Sequence, residues 1–241
     1  MRRFNATTIK VIAIIAMTLD HIAYTFVPPE STATYIMRLF GRITAPLMCF
    51  FIAEGFRHTH DRKKYLLRMI AFAVISQPFY FIFLNHSLPN NPLEFFRSMN
   101  VIFTLSLGLL TLLIVTHKKL PMVAKAVLTA IIVSFANIGD WSYLVPIWIL
   151  VFYFFSENKK IMYLLFSVAA LVFLPYLYLK YFDSFLMFTY NYGVFLALIP
   201  IALYNGQRNK DSSALKKKFS KWFFYLYYPL HMMIIFIIFR T

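Results

Sequence analysis

Long apolar runs separated by short basic segments constrain this chain more than any other feature. Each run is about 15–21 residues long, close to the ~20 residues that a helix needs to cross a hydrocarbon core of ~30 Å. The nine runs cover residues 9–27, 36–56, 65–84, 99–117, 121–137, 142–156, 161–180, 184–204 and 219–239. Because backbone polar groups must be satisfied inside a bilayer, the pattern predicts an all-α, polytopic integral membrane bundle. We expect residues 1–241 to form a single transmembrane domain.

Lysine and arginine residues are distributed unevenly between alternate loops. Of the 24 basic residues, 19 fall on one side, Arg42 lies inside a run, and four fall on the other side: Arg38, Arg97, Lys180 and Arg240. Since cytoplasmic loops carry the excess of Lys and Arg, we predict about nine crossings with a cytoplasmic amino terminus. Runs five and six are short, and the segment between them, residues 137–142, could instead form a re-entrant turn.

The net charge of +15 does not indicate a nucleic acid partner. The basic residues cluster in short loops rather than on one continuous face, which is typical of topology signals in a membrane protein. The longest polar segment, residues 205–221, is basic and suits anionic lipid headgroups. Membrane lipids are therefore expected partners, and nucleic acid is not.

Ionisable side chains recur inside the apolar runs, where a charge costs roughly 2.5–3.5 kcal/mol on insertion scales. The first run contains Asp20 and His21, and later runs contain Arg42, Glu54 and His231. At a rise of ~1.5 Å per residue, the predicted topology places His21, Arg42 and His231 in the outer half of the membrane. This shared depth predicts one buried polar site.

Three further polar residues reach a comparable depth in the predicted topology and are candidates for substrate binding. They are Gln77, Asn100 and Thr104. They extend the predicted cavity to five helices, although depth alone does not say which way a side chain faces.

Asp20 and His21 are consecutive, so on a helix their side chains point about 100° apart and a direct bond between them is not expected. Either Asp20 turns toward Arg42 or another helix while His21 faces the cavity, or the reverse holds. A purely structural Asp20–Arg42 ion pair is an open alternative. His231 follows a proline, and it could simply satisfy a carbonyl freed by the kink.

A second group of polar residues follows the second run, at its predicted cytoplasmic end. Its members Arg57, His58, Arg62 and Lys63 carry enough positive charge to hold the phosphates of a nucleotide-like donor. A plain topology-determining loop explains the same residues equally well. The histidines are scattered and Cys49 is the only cysteine, so we predict no metal site.

Six motifs occur in a fixed order along the chain: KVIAIIAMTLDHI at 10–22, RLFGRITAPL at 38–47, FIAEGFRHT at 51–59, SQP at 76–78, NVIFTLSLG at 100–108 and YYPLH at 227–231. Together they resemble the TraX family of bacterial membrane proteins. The resemblance implies an integral membrane acyltransferase that uses cytosolic acetyl-CoA, since the family's named member acetylates the amino terminus of a conjugative pilin. It matches His21 and His231 to the family's membrane and tail histidines.

The leading hypothesis is a multi-pass acyltransferase of the bacterial cytoplasmic (inner) membrane. It would move an acetyl or small acyl group from acetyl-CoA to an amine or hydroxyl of an envelope or pilin-like acceptor. His21 would deprotonate the acceptor or briefly carry the acyl group, assisted by Asp20, Arg42 and His231. Arg57 and its basic neighbours would hold the donor.

The sequence is also compatible with two functions from other classes. One is a proton-coupled transporter or lipid translocase, in which Asp20, His21 and Glu54 form a proton path. The other is a noncatalytic assembly factor for a pilus or envelope machine, in which the buried polar groups are structural.

Overall fold

The computed structural model describes residues 3–181, 188–207 and 214–240, and these fold almost entirely into helices. The α-helices are α1 (Ala6–Phe26), α2 (Thr32–Gly41), α3 (Thr44–His58), α4 (Arg62–Asn85), α5 (Val101–Val115), α6 (Met122–Phe135), α7 (Leu144–Phe154), α8 (Lys159–Tyr181), α9 (Leu198–Leu203) and α10 (Ala214–Arg240). Short 3-10 helices cover Pro92–Phe96, Ala136–Ile138 and Tyr190–Ala197. The described residues contain no β-strand, so the all-α prediction is confirmed.

Three helical segments are long and apolar enough to cross a membrane. They are Ala6–Phe26, Thr32–His58 and Arg62–Asn85, which correspond to the first three predicted runs. The described parts of the later runs are also helical, but several of these helices are shorter, from 10 to 17 residues. The number of nine crossings therefore stays a prediction. Residues 184–187 of the eighth run and residues 208–213 of the basic segment lie outside the described residues.

The second predicted run is not one continuous helix. It divides at Arg42 and Ile43, between α2 and α3. Pro46 has no N–H and cannot donate to the carbonyl of Arg42, so the hydrogen-bond ladder breaks there. The Arg42 amide instead donates to the Arg38 carbonyl at 3.0 Å and closes α2. Arg42 thus lies at the junction of two helices, within the segment Thr32–His58 that is long and apolar enough to cross a membrane.

Side-chain caps begin several of the helices. Asn5, Ser31 and Asp61 each accept a hydrogen bond from the backbone amide three residues later, at the starts of α1, α2 and α4. In the loop before α4, the hydrogen bond from the Lys64 amide lowers the pKa of the Asp61 carboxyl. Asn100 caps α5 in the same way, which fixes the start of that helix.

The chain divides into two compact units. The first comprises Met1–Met48 and Ala170–Thr241, and the second comprises Cys49–Ala169. In the first unit, α1 packs against both α2 and α10, and α2 packs against the 3-10 helix Tyr190–Ala197. In the second unit, α5 packs against α4, α6 and α7. The single domain over residues 1–241 stays a prediction.

Each unit has its own tightly packed region. In the second unit, Trp148, Phe152 and Phe166 are fully buried. The ring centre of Phe166 lies 4.9 Å from that of Trp148 and 5.6 Å from that of Phe152. In the first unit, Gly193 lies directly against the backbone of Leu39, where a Cβ atom would overlap the Leu39 carbonyl. The glycine therefore lets the 3-10 helix approach α2 closely.

Candidate functional site

Helices α1 and α10 bring two histidines into contact in the first unit. Nδ1 of His21 lies 2.6 Å from Nε2 of His231. The two rings are nearly coplanar and meet edge to edge, with centroids 4.8 Å apart and an interplanar angle of 4°. His231 is buried. The sequence predicted a shared depth for these residues, but it did not predict their direct contact.

The carbonyl of Tyr227 determines which ring nitrogens carry protons. Nδ1 of His231 lies 2.9 Å from the Tyr227 carbonyl oxygen, which can only accept a hydrogen bond. His231 therefore carries a proton on Nδ1, and in the neutral ring its Nε2 accepts a hydrogen bond from Nδ1 of His21. Neutral His21 then has its lone pair on Nε2. This arrangement suits a general base whose tautomer is set by a neighbouring residue.

Contacts along α1 and α10 occur in the same order on both helices. The hydroxyls of Thr18 and Tyr227 lie 2.7 Å apart, and the rings of Phe26 and Phe239 lie 6.1 Å apart. The histidine contact lies between these two. The two helices therefore run parallel, with Thr18 and Tyr227 beside the histidine pair.

Asp20 faces α2 rather than His21. Its two carboxylate oxygens accept hydrogen bonds from Nη2 of Arg42. Of the two predicted arrangements, the structure has Asp20 turned toward Arg42 and His21 turned toward α10. Asp20 also packs against Gly41, where a Cβ atom would overlap the aspartate side chain.

Arg38 is a further member of this cluster that the sequence reasoning missed. Its Nε lies 3.9 Å from the Asp20 carboxylate. The guanidinium carbons of Arg38 and Arg42 lie 4.8 Å and 5.6 Å from the ring centre of Tyr190. The topology count assigned Arg38 to an outer loop. The sequence did contain a sign that Arg38 belongs with Arg42: the two arginines are four residues apart, which places both on one helix face.

Two of the predicted substrate-binding residues, Gln77 and Asn100, bond to each other in the second unit. The Gln77 side-chain nitrogen donates to the carbonyls of Phe95 and Ser98 at 2.7 Å and 2.8 Å. The Gln77 oxygen accepts from the backbone and side-chain nitrogens of Asn100 at 3.0 Å and 2.7 Å. The Asn100 side chain also donates to the Ala73 carbonyl at 2.8 Å. These amides join the loop before α5 to α4.

Thr104, the third predicted substrate-binding residue, bonds to backbone carbonyls. Its hydroxyl lies 2.8 Å from the carbonyl oxygen of Asp140 and 2.9 Å from that of Val101. Beside it, the amide of Asp140 donates to the Met99 carbonyl at 2.8 Å. Thr104 therefore lies where the segment before α7 meets the start of α5.

Arg57, a predicted donor-binding residue, bonds to protein groups in the second unit. Its Nη1 donates to Glu54 at 2.5 Å, and its Nη2 donates to the carbonyls of Phe152 and Tyr153 at 2.5 Å and 2.7 Å. These carbonyls belong to the last turn of α7, which a positive charge stabilises. Arg57 thus holds the end of α7 to α3.

The other predicted donor-binding residues are more open. The His58 side chain is 53% exposed and lies 3.5 Å from Glu54. The guanidinium carbon of Arg62 lies 4.1 Å from the ring centre of Phe56, and Lys63 is exposed at the start of α4. Within the described part of the chain, no group of three or more His, Cys, Asp or Glu side chains could hold a metal ion.

These features define a class of protein: a helical membrane protein with a part-buried histidine pair between two parallel helices. The chain belongs to the TraX family, whose model, described as TraX protein, matches residues 5–239.

The chain is 35% identical over 233 residues to a protein of Dichelobacter nodosus described as "Probable fimbrial assembly protein FimC, serogroup H1". That similarity covers 95% of this chain and 93% of the relative. It is also 40% identical over 83 residues to "Uncharacterized protein RP591" of Rickettsia prowazekii (strain Madrid E), covering 34% of this chain and 30% of that protein. No solved structure matches the chain.

Proposed function

We propose that this protein is a multi-pass acyltransferase of the bacterial cytoplasmic membrane. It moves an acetyl or small acyl group from cytosolic acetyl-CoA to an amine or hydroxyl of an envelope acceptor, such as a pilin-like amino terminus. The observation that carries the proposal is the part-buried contact between His21 and His231. The link of the TraX family to pilin acetylation supports the choice of group transferred.

His21 is the general base in this proposal. The acceptor nitrogen or oxygen forms a bond to the thioester carbonyl carbon while Nε2 of His21 takes the acceptor's proton. The tetrahedral intermediate then breaks its carbon–sulfur bond, and the proton returns from His21 to the leaving thiolate. The products are the acetylated acceptor and free coenzyme A thiol, so the histidine ends in its starting state.

The residues around His21 position it. His231 holds the His21 tautomer through Nε2 and is itself held by the Tyr227 carbonyl. The Asp20–Arg42 ion pair fixes α1 against the end of α2, and Arg42 stabilises negative charge that develops on the thioester oxygen. In this proposal His58, Arg62 and Lys63, together with Arg57, hold the phosphates of the donor.

Acetyl-CoA consumption by the purified, detergent-solubilised protein tests this proposal. With radiolabelled acetyl-CoA and water as a slow acceptor, the wild type should release coenzyme A thiol and acetate, and His21→Gln should reduce that rate by about 10²-fold or more because the base is lost. His117→Gln, a change at an exposed histidine, is the matched control and should keep the wild-type rate. Folded wild-type protein that neither binds nor consumes acetyl-CoA would overturn the proposal.

A noncatalytic role in pilus or fimbrial assembly is the second candidate. The description of the Dichelobacter nodosus relative as a probable fimbrial assembly protein favours it. In this role the histidine pair only joins α1 to α10. His21→Gln would then lower the thermal stability of the protein, and the wild-type protein would not consume acetyl-CoA.

The parallel order of α1 and α10 supports the proposed topology. Parallel helices that cross a membrane begin on the same side, as the first and last runs do with nine crossings and a cytoplasmic amino terminus. Single cysteines at His60 and Asn90, in a Cys49→Ser background, test the orientation of α4. A membrane-impermeant maleimide should label Asn90→Cys in intact cells and His60→Cys only after lysis. The reverse result would contradict the topology.

A further inference from the structure

A narrow groove runs along α1 and α10 in the first unit. It has a volume of about 540 Å³, within the range of small-molecule sites. Its walls include two stripes of residues spaced four apart, Thr18, Ile22 and Phe26 on α1 and Leu230, Ile234 and Ile238 on α10. Such spacing places each stripe on one helix face, so the stripes form the two sides of a linear trough.

The groove is too thin to enclose a helix. Its lining extends along α10 from Trp222 to Ile238, which spans about 24 Å at 1.5 Å per residue. With a volume of about 540 Å³ over that length, the groove is narrower than a helix, which is about 10–12 Å across. Neither a transmembrane helix of a partner nor a helix of a second copy fits inside it.

The groove reaches the histidine site through His231, and His21 lies behind His231 rather than in the groove wall. His231 lines it, beside the bonded hydroxyls of Thr18 and Tyr227, and His231 contacts His21 at 2.6 Å. Beyond these groups the walls are aliphatic and aromatic, and none of the described residues that line the groove carries a fixed charge. The groove therefore matches an uncharged chain that has a hydrogen-bonding group at one position.

We propose that the groove holds one hydrocarbon chain of a membrane lipid whose amine or hydroxyl lies at the histidine pair. This proposal rests on the proposed acyl transfer and names its acceptor class, a single-chain amphiphile. The chain enters sideways from the bilayer, where hydrocarbon is the solvent, so its transfer into the groove exposes no apolar surface to water. The groove positions the acceptor, and His21 removes its proton.

Photocrosslinking in membranes tests chain binding separately from catalysis. The probe is a lysophospholipid with a diazirine on its chain. Specific binding is measured as the displaceable crosslinking, the part that an excess of unlabelled lysophospholipid abolishes. Crosslinks should map to the stripe that contains Leu230 and Ile234. The double variant Leu230→Phe, Ile234→Phe fills the groove and should lower the displaceable signal about tenfold or more.

The matched control lies on the same helix. Ile237 is 51% exposed, close to the 53% of Ile234, and it does not line the groove. Ile237→Phe should therefore leave the displaceable crosslinking within about twofold of the wild type. Equal loss in both variants, crosslinks spread over all faces of α10, or no displaceable signal would each overturn the inference.

Acetyl transfer to the same lysophospholipid separates this inference from the proposed function. His21→Gln should keep the displaceable crosslinking and lose the transfer. If acetyl-CoA consumption depends on His21 but transfer is insensitive to the filled groove, the acceptor class is wrong and the acyltransferase proposal stands. If the chain binds but folded wild-type protein consumes no acetyl-CoA, the acyltransferase proposal fails while the binding result survives.

Discussion

Each unit contains a cluster of polar side chains, and the two clusters differ in their hydrogen bonds to other protein groups. In the second unit, the amides of Gln77 and Asn100 match donors to acceptors with each other and with backbone groups. In the first unit, the bonds of His21 and His231 set the tautomers and place a basic lone pair on Nε2 of His21. A matched amide network stabilises a fold, whereas a histidine of fixed tautomer can move a proton. The two clusters should therefore respond differently to substitution.

The largest expected effect is on activity at the histidine pair. His231→Leu removes the group that accepts from Nδ1 of His21, and we expect it to reduce acetyl-CoA consumption by about 10²-fold. His231→Gln keeps an acceptor oxygen and should recover part of that loss. Coenzyme A release under saturating donor, with thermal unfolding as the control for folding, measures both variants.

A double substitution at the two histidines sharpens the same point. Because the residues act as one unit, His21→Gln combined with His231→Leu should cost about as much as His21→Gln alone. Fully additive losses, or equal losses in the Gln and Leu variants at position 231, would contradict the positioning role of His231.

The next effect is on stability at Asn100. Asn100→Ala removes the cap of α5, worth about 1 kcal/mol, and the two bonds that the Asn100 side chain donates to the Gln77 oxygen and the Ala73 carbonyl, at about 1 kcal/mol each. We expect a total loss of about 3 kcal/mol, measured as thermal or denaturant unfolding in detergent. Asn90→Ala, in an exposed loop, is the control. Normal stability with lost acyl transfer would instead support the predicted role of Gln77 and Asn100 in substrate binding.

The helices could largely be predicted from the sequence because long apolar runs leave few alternatives in a membrane. The break at Arg42 was not predicted, because a proline alone does not end a helix: Pro46 removes a hydrogen bond there, but Pro78 lies inside the continuous helix α4. The 3-10 helix Tyr190–Ala197 was not predicted either, because it depends on the close approach of Gly193 to Leu39, a tertiary contact. Local pattern sets helix positions, and packing between distant segments sets their detailed form.

The residues of the candidate site could be predicted from the sequence, but the contacts between them could not. Asp20, His21, Arg42 and His231 stand out because ionisable groups are costly in apolar runs. The contact between His21 and His231 joins positions 210 residues apart, which no local spacing reveals. The bond of Arg57 to the end of α7 was hidden for the same reason, since Phe152 is 95 residues away.

A smaller effect is expected where Asp20 packs against α2. Gly41→Ala would place a methyl group on the Asp20 side chain and displace it from Arg42, at a cost of about 1–3 kcal/mol. Ala33→Ser, at an exposed position of the same helix, should change stability by less than about 0.5 kcal/mol. Thermal unfolding compares the two, and equal stability would show that the Asp20–Arg42 pair tolerates movement of α2.

The smallest effect is expected at the hydroxyl beside the histidine pair. Tyr227→Phe removes the bond to Thr18 but keeps the ring stacked on His231 at 5.1 Å and the backbone carbonyl that accepts from Nδ1. Because the tautomers of both histidines are unchanged, we expect a stability loss of about 1 kcal/mol and activity within a few-fold of the wild type. Thr18→Val removes the same bond and also the one that Thr18 donates to the Ile14 carbonyl, so the double variant should cost little more than Thr18→Val alone. A loss of activity as large as that of His21→Gln would mean that the Tyr227 hydroxyl, rather than the histidine pair alone, takes part in proton transfer.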